Sequence, residues 1–287
     1  MSLRPIDKAE SAQLRKYQPQ SIQLDGQPVE VIDAAPDHPT SEVPVLYAPG
    51  WNPDATVLRQ IMPELTKVGR RGIALCAPHG IGGKSNDPET RKAQAVLALI
   101  KEKNLSKVDA IGHSEAGLYL IEAALKEPEK FRSILLINPA GIIGKDSLPG
   151  LAARFVKSMV LDFSRRCQEL VQKGKHQEHS RLMRHILKGG GPSLSPYAPK
   201  EVNALASRQV GDSLSTLREK GVHICIMRTK GDEAFPVTRS TLQPKDYDSL
   251  VEVEGAHDFP IIEPEKFIPL AIQALEKLVK DDLQKED

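Results

Sequence analysis

A serine flanked by small residues separates a short apolar strand from an apolar helix near the middle of the chain. The run is Val108-Asp109-Ala110-Ile111-Gly112-His113-Ser114-Glu115-Ala116-Gly117-Leu118. This pattern predicts a nucleophile elbow, a sharp strand-to-helix turn that holds the serine Oγ out at the end of a sheet. Backbone approaches backbone in such a turn, so small residues are needed two positions before and after the serine. Gly112 and Ala116 occupy those positions. The alternative is an ordinary tight turn in which Ser114 is incidental.

A nucleophilic serine requires a base, and the base requires an acid that orients it. In chains with a nucleophile elbow these groups follow in the order serine, acid, histidine. Two later apolar strands are each followed by a suitable group: Asp232 comes after the strand at 223–228, and His257 comes after the strand at 249–254. All three groups then lie at the same edge of the sheet. The sequence therefore predicts a triad of Ser114, Asp232 and His257.

These motifs resemble the α/β-hydrolase family. Its members often carry the acid in a loop like G-x-x-D-x-x-x-P after the seventh strand and the histidine in a G-x-H loop after the eighth. Gly255-Ala256-His257 matches the second loop, whereas in the loop at 231–236 the glycine directly precedes the acid. Two other acids stay open as alternatives to Asp232. Glu233 is adjacent to it, and Asp146 corresponds to a position after the sixth strand that some family members use.

The resemblance also implies two backbone N–H donors for the oxyanion of an acyl-transfer reaction. One is the N–H of Glu115, the residue after the serine. The other comes from the loop after an earlier strand, where many relatives carry His-Gly-x and the x residue donates. This chain has Pro49-Gly50-Trp51 there, so Trp51 takes the role by position. We interpret the side chain of this only tryptophan as a half-buried loop anchor, as an apolar wall for an acyl group, or as both.

No pattern in the sequence predicts a metal or a cofactor. There is no H-E-x-x-H motif and no cysteine pair at zinc spacing. The glycine-rich stretch at 80–85 does not match a phosphate-binding loop and opens no dinucleotide-binding helix, so it indicates a turn. His79, just before it, replaces an aspartate of the resembling family and is interpreted as a loop residue bonded to nearby backbone.

Length and composition are those of an ordinary globular protein. The 287 residues suffice for one large core with an inserted cap. A net charge of +1 gives no electrostatic case for nucleic acid binding. The first 20 residues lack a leader pattern, and no apolar run approaches ~18 residues, so we expect no transmembrane helix. Cys76, Cys167 and Cys225 cannot all pair. Free thiols indicate a reducing compartment and predict a cytoplasmic protein.

Strand and helix patterns alternate along most of the chain. Residues 21–35 predict a hairpin with a turn at Asp25-Gly26. Further strands are expected near 43–48, 72–77, 108–113, 132–138, 223–228 and 249–254. Helices are expected at 54–68, from Asp87 onward, at 115–126 and at 264–283. This order predicts a three-layer α/β/α sandwich with a mostly parallel sheet, formed by residues 1–142 and 218–287.

The alternation stops between residues 143 and 217. This segment predicts two or three amphipathic helices, among them 151–173 and 177–187, with a glycine-rich break at 189–192. The family resemblance implies that it forms a helical cap that selects the substrate. Residues 151–191 carry more Lys and Arg than acids. A solvated helix face is the ordinary interpretation, and attraction of an anionic substrate or peripheral contact with an acidic membrane is the alternative.

Together these features predict a serine hydrolase that cleaves a carboxylic ester or a related small-molecule acyl compound through an acyl-enzyme. The fold hosts other chemistries on the same triad, so C–C bond hydrolases, thioesterases and lyases remain alternatives. A non-catalytic protein that uses the pocket to bind a ligand is a further alternative. Such proteins typically lack one member of the triad, whereas this chain has all three.

Overall fold

Eight strands and eight helices are formed by the part of the chain that the computed structural model describes, residues 16–24, 26–51, 55–76, 85–158, 171, 174 and 198–286. The strands are β1 (Gln20–Leu24), β2 (Gln27–Ala34), β3 (Val45–Ala48), β4 (Gly72–Cys76), β5 (Val108–His113), β6 (Phe131–Ile137), β7 (His223–Thr229) and β8 (Ser249–Val253). The helices are α1 (Ala55–Lys67), α2 (Pro88–Glu102), α3 (Ala116–Lys126), α4 (Leu148–Lys157), α5 (Ala198–Ser207), α6 (Gly211–Glu219), α7 (Phe259–Ile262) and α8 (Pro264–Glu286).

All eight strands belong to one sheet with the spatial order β1-β2-β4-β3-β5-β6-β7-β8. The pairs β1–β2 and β2–β4 are antiparallel, and every other neighbouring pair is parallel. From β3 the chain moves outward to β4 and then crosses back to β5 on the other side. This reversal is a topological switch point, and in open α/β sheets the crevice for a ligand lies there, beyond the carboxyl ends of the strands.

The central strands are almost entirely buried and mostly apolar because helices cover both faces of the sheet. Along β3, Leu46 and Ala48 pack in the core formed with α2, α3 and α6. Val45 and Tyr47 point the other way and pack in the core formed with α1 and α8. The predicted three-layer α/β/α sandwich with a mostly parallel sheet is thus confirmed.

The predicted strands are all present, and their ends lie within two residues of the expected positions. The predicted helices at 54–68, 115–126 and 264–283 correspond to α1, α3 and α8. Helix α2 begins as predicted, because the Asp87 side chain accepts a hydrogen bond of 2.9 Å from the Glu89 N–H and Pro88 occupies the first turn. Asp25 lies outside the described residues.

The segment predicted to form a cap is described in part, by α4, α5 and most of α6. Helix α4 begins at Leu148 rather than at 151, because Ser147 Oγ caps it by accepting a hydrogen bond of 3.1 Å from the Gly150 N–H. The helix predicted at 177–187 and the break at 189–192 lie outside the described residues, as does most of the basic stretch. The boundary predicted at residue 217 falls inside α6, and the extent of the cap stays a prediction.

The structure describes part of what the sequence predicted about the cysteines and about a transmembrane helix. Cys76 and Cys225 are buried and are not joined in a disulfide, while Cys167 and His79 lie outside the described residues. Within the described ranges, no helix combines the length and the apolar character needed to cross a lipid bilayer.

Candidate active site

Ser114 occupies a tight turn between β5 and α3 that the surrounding packing holds in place. Its φ of 55° lies in the left-handed region, which side chains other than glycine rarely adopt. Its N–H donates to the Ile137 carbonyl over 2.9 Å, and its carbonyl accepts from the Ala140 N–H over 3.2 Å. A Cβ atom at Gly112 would lie 3.3 Å from the backbone carbon of Ala116 and 2.7 Å from Leu120 Cδ1, so glycine suits the close approach of strand and helix in this turn.

The histidine and the acid of the predicted triad meet this serine in one hydrogen-bonded chain. His257 Nε2 lies 3.0 Å from Ser114 Oγ, and His257 Nδ1 lies 2.9 Å from Asp232 Oδ2. The exposed fractions of the three residues are 3% for Ser114, 4% for Asp232 and 6% for His257. The other oxygen, Asp232 Oδ1, accepts two bonds of 2.8 Å from the N–H groups of Ala234 and Phe235. These bonds turn Oδ2 toward the imidazole. The carboxylate can therefore hold a proton on Nδ1 and leave Nε2 to accept the serine proton.

The two alternative acids are engaged elsewhere. The Glu233 carboxylate forms an ion pair of 2.7 Å with Lys157 on α4. The Asp146 carboxylate is bound by Arg154, also on α4. Of the three candidate acids, Asp232 is the one that the structure brings to the His257 ring.

Two buried side chains hold the backbone of His257 in place through its carbonyl oxygen. His113 Nε2 donates to the His257 carbonyl over 2.9 Å, and Asn138 Nδ2 approaches the same oxygen at 3.1 Å. Asn138 also bonds to Thr229, with its Oδ1 accepting from the Thr229 N–H over 2.8 Å. The ends of β5, β6 and β7 are thereby tied to the histidine loop. Sequence reasoning missed Asn138, and its only signal was a polar residue directly after the apolar strand β6.

The loop after β3 lies against the nucleophile. A Cβ atom added at Gly50 would be 3.0 Å from Ser114 Cβ, so the two backbones are in close contact. Tyr119 Oη on α3 donates to the Pro49 carbonyl over 3.1 Å and holds the loop there. Trp51, the residue after Gly50 in this loop, is half-buried. Glu115 lies at the amino-terminal end of α3, where the first N–H groups of a helix have no carbonyl acceptor within it. The backbone of both residues therefore borders the serine.

Solved structures of other proteins share this architecture. An esterase from Exiguobacterium antarcticum matches with a TM-score of 0.67 and 18% identity, over 90% of this chain and 100% of that one. A thermophilic esterase from Thermogutta terrifontis matches with a TM-score of 0.64 and 17% identity, over 91% and 99%. A bromoperoxidase from Bacillus anthracis matches with a TM-score of 0.64 and 16% identity, over 90% and 100%. The chain has the α/β-hydrolase fold. No protein-family model and no curated protein matches the sequence.

Beside the elbow of this α/β-hydrolase fold lies a buried cluster of charged side chains that sequence reasoning also missed. Lys92 Nζ on α2 is 2.6 Å from Glu115 Oε1 and 3.0 Å from Glu201 Oε1 on α5. Burial alone lowers the pKa of Lys92, but the nearby carboxylates of Glu115, Glu89 and Glu201 outweigh it and raise that pKa. Burial, and then the charge of Glu115, raise the pKa of Glu89 well above its ordinary value. The cluster thus favours the neutral form of Glu89 and the charged form of Lys92.

Aromatic rings form an apolar wall around the imidazole. The Phe235 ring centroid lies 5.5 Å from that of His257, and the Phe155 centroid lies 6.2 Å from it in an edge-on arrangement. Phe155 belongs to α4, which is fastened to the acid loop because Arg154 Nε donates to the Ala234 carbonyl over 3.0 Å. Helix α4 therefore contributes directly to the surroundings of the predicted base.

One group of side chains has a spacing that could suit a metal ion. Ligand atoms of His113, His257 and Asp258 lie within 4.8 Å of one another. His113 Nε2 already donates to a carbonyl, and both ring nitrogens of His257 have partners in the hydrogen-bonded chain. The positions of these atoms fit the triad, and the hydrogen bond from His113 to the His257 backbone, better than they fit a metal centre.

The buried His113 predicts a loss of stability in acid. Burial, and then the adjacent His257, lower the pKa of His113 from 6.5 to about 4. Between these values the unfolded chain binds more protons than the folded one, so stability falls as the pH falls through this window. We expect wild type to lose roughly 2 to 3 kcal/mol more than His113→Gln between pH 7 and pH 4.5. Urea unfolding at both pH values measures this difference, and the exposed His38→Gln controls for losing a histidine. Equal losses in wild type and His113→Gln would contradict the prediction.

Proposed function

We propose that this protein is a serine hydrolase that cleaves a carboxylic ester or a related small-molecule acyl compound through an acyl-enzyme. The observation that carries the proposal is the continuous hydrogen-bonded chain Ser114–His257–Asp232, which is buried at the carboxyl ends of a parallel sheet. The presence of esterases among the proteins of similar fold supports the same reaction class.

In the proposed mechanism Ser114 Oγ attacks the carbonyl carbon while His257 Nε2 takes its proton. Asp232 keeps the other imidazole proton on Nδ1 and stabilises the imidazolium ion that forms. The negative oxygen of the tetrahedral intermediate accepts hydrogen bonds from the backbone N–H groups of Trp51 and Glu115. The imidazolium then protonates the leaving group, and the acyl-enzyme remains. Water then attacks the acyl carbon while His257 Nε2 takes its proton, and the imidazolium returns that proton to Ser114 Oγ as the bond to the serine breaks and the acid product leaves.

The surroundings of the triad favour a substrate with an apolar part next to the reacting carbonyl. Phe155 and Phe235 present ring edges and faces close to the imidazole, and such surfaces bind apolar groups. Phe155 lies on α4 and Glu201 on α5, within the segment 143–217 that we propose as the cap. That segment would thus take part in selecting the substrate. A cytoplasmic location and peripheral membrane contact through its basic stretch stay predictions.

Labelling with a fluorophosphonate probe, followed by peptide mass spectrometry, tests the proposal. Such a probe reacts with a serine that its neighbours activate. We expect the label on the peptide that contains Ser114 and no label on that peptide in Ser114→Ala. Unlabelled protein is then assayed against p-nitrophenyl esters, thioesters and C–C bond substrates to define the reaction, and the labelled protein serves as the inactive control. A folded wild-type protein that the probe does not label at Ser114 would overturn the proposal and favour a ligand-binding protein.

A further inference from the structure

The side chains of the two residues proposed as oxyanion donors are joined to each other through buried groups. The Trp51 indole Nε1 donates to Glu201 Oε2 over 2.9 Å. The other oxygen of Glu201 lies 3.0 Å from Lys92 Nζ, and Lys92 Nζ lies 2.6 Å from Glu115 Oε1. The path Trp51–Glu201–Lys92–Glu115 thus connects the loop after β3 to the amino-terminal end of α3. It is called the oxyanion bridge below.

Burying the charged groups of the oxyanion bridge opposes folding. The exposed fractions of Lys92, Glu115 and Glu201 are no more than 1%. Removing charges from water opposes folding, and a buried ion pair is seldom worth more to stability than apolar residues of the same size. Stability alone therefore gives little reason for three charges here. A well-attested use of a buried polar group is to hold one specific geometry.

The bridge completes a two-point attachment of the loop that carries Trp51. Tyr119 on α3 binds the Pro49 carbonyl at one point, and Glu201 on α5 binds the Trp51 indole at the other. The Lys92 ammonium lies 6.0 Å from the Tyr119 ring centroid, so the same cation stands next to both attachments. Because the donors of an oxyanion hole act through the main chain, attachments that hold the backbone of the loop and of the helix end set where their N–H groups point.

We propose that Glu201 and Lys92 are positioning residues for the oxyanion hole. Glu201 holds the Trp51 indole, and Lys92 ties Glu201 to Glu115, so that the two backbone donors keep one spacing. This inference rests on the proposed function. It also makes α5, which belongs to the segment proposed as the cap, a part of the catalytic apparatus. The hole is complete only while α5 is seated against α2.

The main test compares Glu201→Gln, Trp51→Phe and the double variant. Glutamine keeps the shape of Glu201 but offers one acceptor oxygen to two donors, the Trp51 indole N–H and Lys92 Nζ, so one of the two contacts is lost. Phenylalanine at position 51 removes the indole N–H. In Glu201→Gln we expect the fluorophosphonate labelling rate at Ser114 and kcat for p-nitrophenyl butyrate to fall roughly tenfold to hundredfold. KM should stay within about threefold of wild type, since the hole acts in the transition state. The double variant should be slower than the slower single variant by much less than the product of the two effects, because both changes weaken the same attachment of Trp51 to Glu201.

The only tryptophan gives an independent readout. All tryptophan emission arises from Trp51, so Glu201→Gln should shift its emission maximum or intensity in the folded protein. Asp248→Asn is the matched control. Asp248 is also an ion-paired carboxylate, bound to Arg218 and to the Ile224 N–H, but it lies at the amino-terminal end of β7, away from the site. We expect this control to label and emit as wild type does. Lys92→Met should also lower kcat, as Glu201→Gln does. Thermal melting of each variant identifies any that does not fold.

Three results would overturn the inference. One is a Glu201→Gln variant that labels and turns over at the wild-type rates. Another is a loss in which the effects of Glu201→Gln and Trp51→Phe multiply, since that pattern shows that the two residues act independently. The third is a wild-type protein that does not label at Ser114, in which case the proposed function fails first and the positioning role fails with it. Because the wild-type measurement precedes the variants, the two kinds of failure are distinguishable.

Discussion

His257→Ala is expected to lower kcat for ester hydrolysis by roughly 10⁶-fold while leaving the protein folded. A serine hydroxyl is a weak nucleophile on its own, and His257 Nε2, 3.0 Å from Ser114 Oγ, is the group placed to remove its proton. Alanine at 257 leaves no base in contact with the hydroxyl. KM should change little, because the imidazole acts on the reacting proton and not on the bound substrate. Steady-state kinetics with a p-nitrophenyl ester measure both constants.

The double variant Ser114→Ala/His257→Ala makes this prediction specific. Because serine and histidine act as one unit, the double variant should retain the same residual rate as either single variant. His223→Ala is the control, since His223 begins β7 at the opposite end of the sheet and should leave kcat unchanged. A double variant slower than each single variant by the product of their effects would show that the two groups do not work together.

The architecture was predictable because its signals are local. Short, mostly apolar runs recur between helical patterns, and this alternation is typical of a parallel sheet covered on both faces. The start of α2 was predictable for the same reason, since Asp87 and Pro88 cap the helix through contacts within one turn. Helix α4 began earlier than expected because the cap at Ser147 lies outside its apolar stripe.

The candidate site was predictable only as far as the topology determines it. Parallel strands deliver their following loops to one edge, so Ser114, the acid loop and His257 had to converge. The sequence favoured Asp232 as the acid that meets the imidazole, but it left Glu233 and Asp146 open because chain order alone does not show which carboxylate points at the ring. In the structure two backbone N–H groups orient Asp232, and Lys157 binds Glu233.

The oxyanion bridge was missed for a different physical reason. Lys92 and Glu89 lie one turn apart on α2, and such a pair ordinarily indicates a solvated helix face. Their burial results from α5 packing against α2, and Glu201 comes from a distant part of the chain that carried no strand pattern and no recognised motif. Contacts between distant charged residues leave no periodic signal in a single sequence, so only the folded structure reveals them.

Asp232→Asn is expected to lower kcat by about 10⁴-fold, through a change of tautomer and not of shape. Asp232 Oδ1 accepts from the N–H groups of Ala234 and Phe235, so the oxygen of an asparagine there must keep that position. Its NH₂ group then faces His257 Nδ1 and donates to it. The imidazole proton is forced onto Nε2, which can no longer accept the serine proton.

Glu233→Gln and Asp146→Asn are the matched controls for this acid, because each changes one carboxylate to an amide. Both carboxylates pair with cations on α4 and do not reach the imidazole, so kcat should stay within about threefold of wild type. The kcat of all three variants, measured with the same ester, decides between the acids. A larger loss in either control than in Asp232→Asn would assign the orienting role to that residue. Comparable losses in all three would mean that the fastening of α4, and not one carboxylate, holds His257 in place.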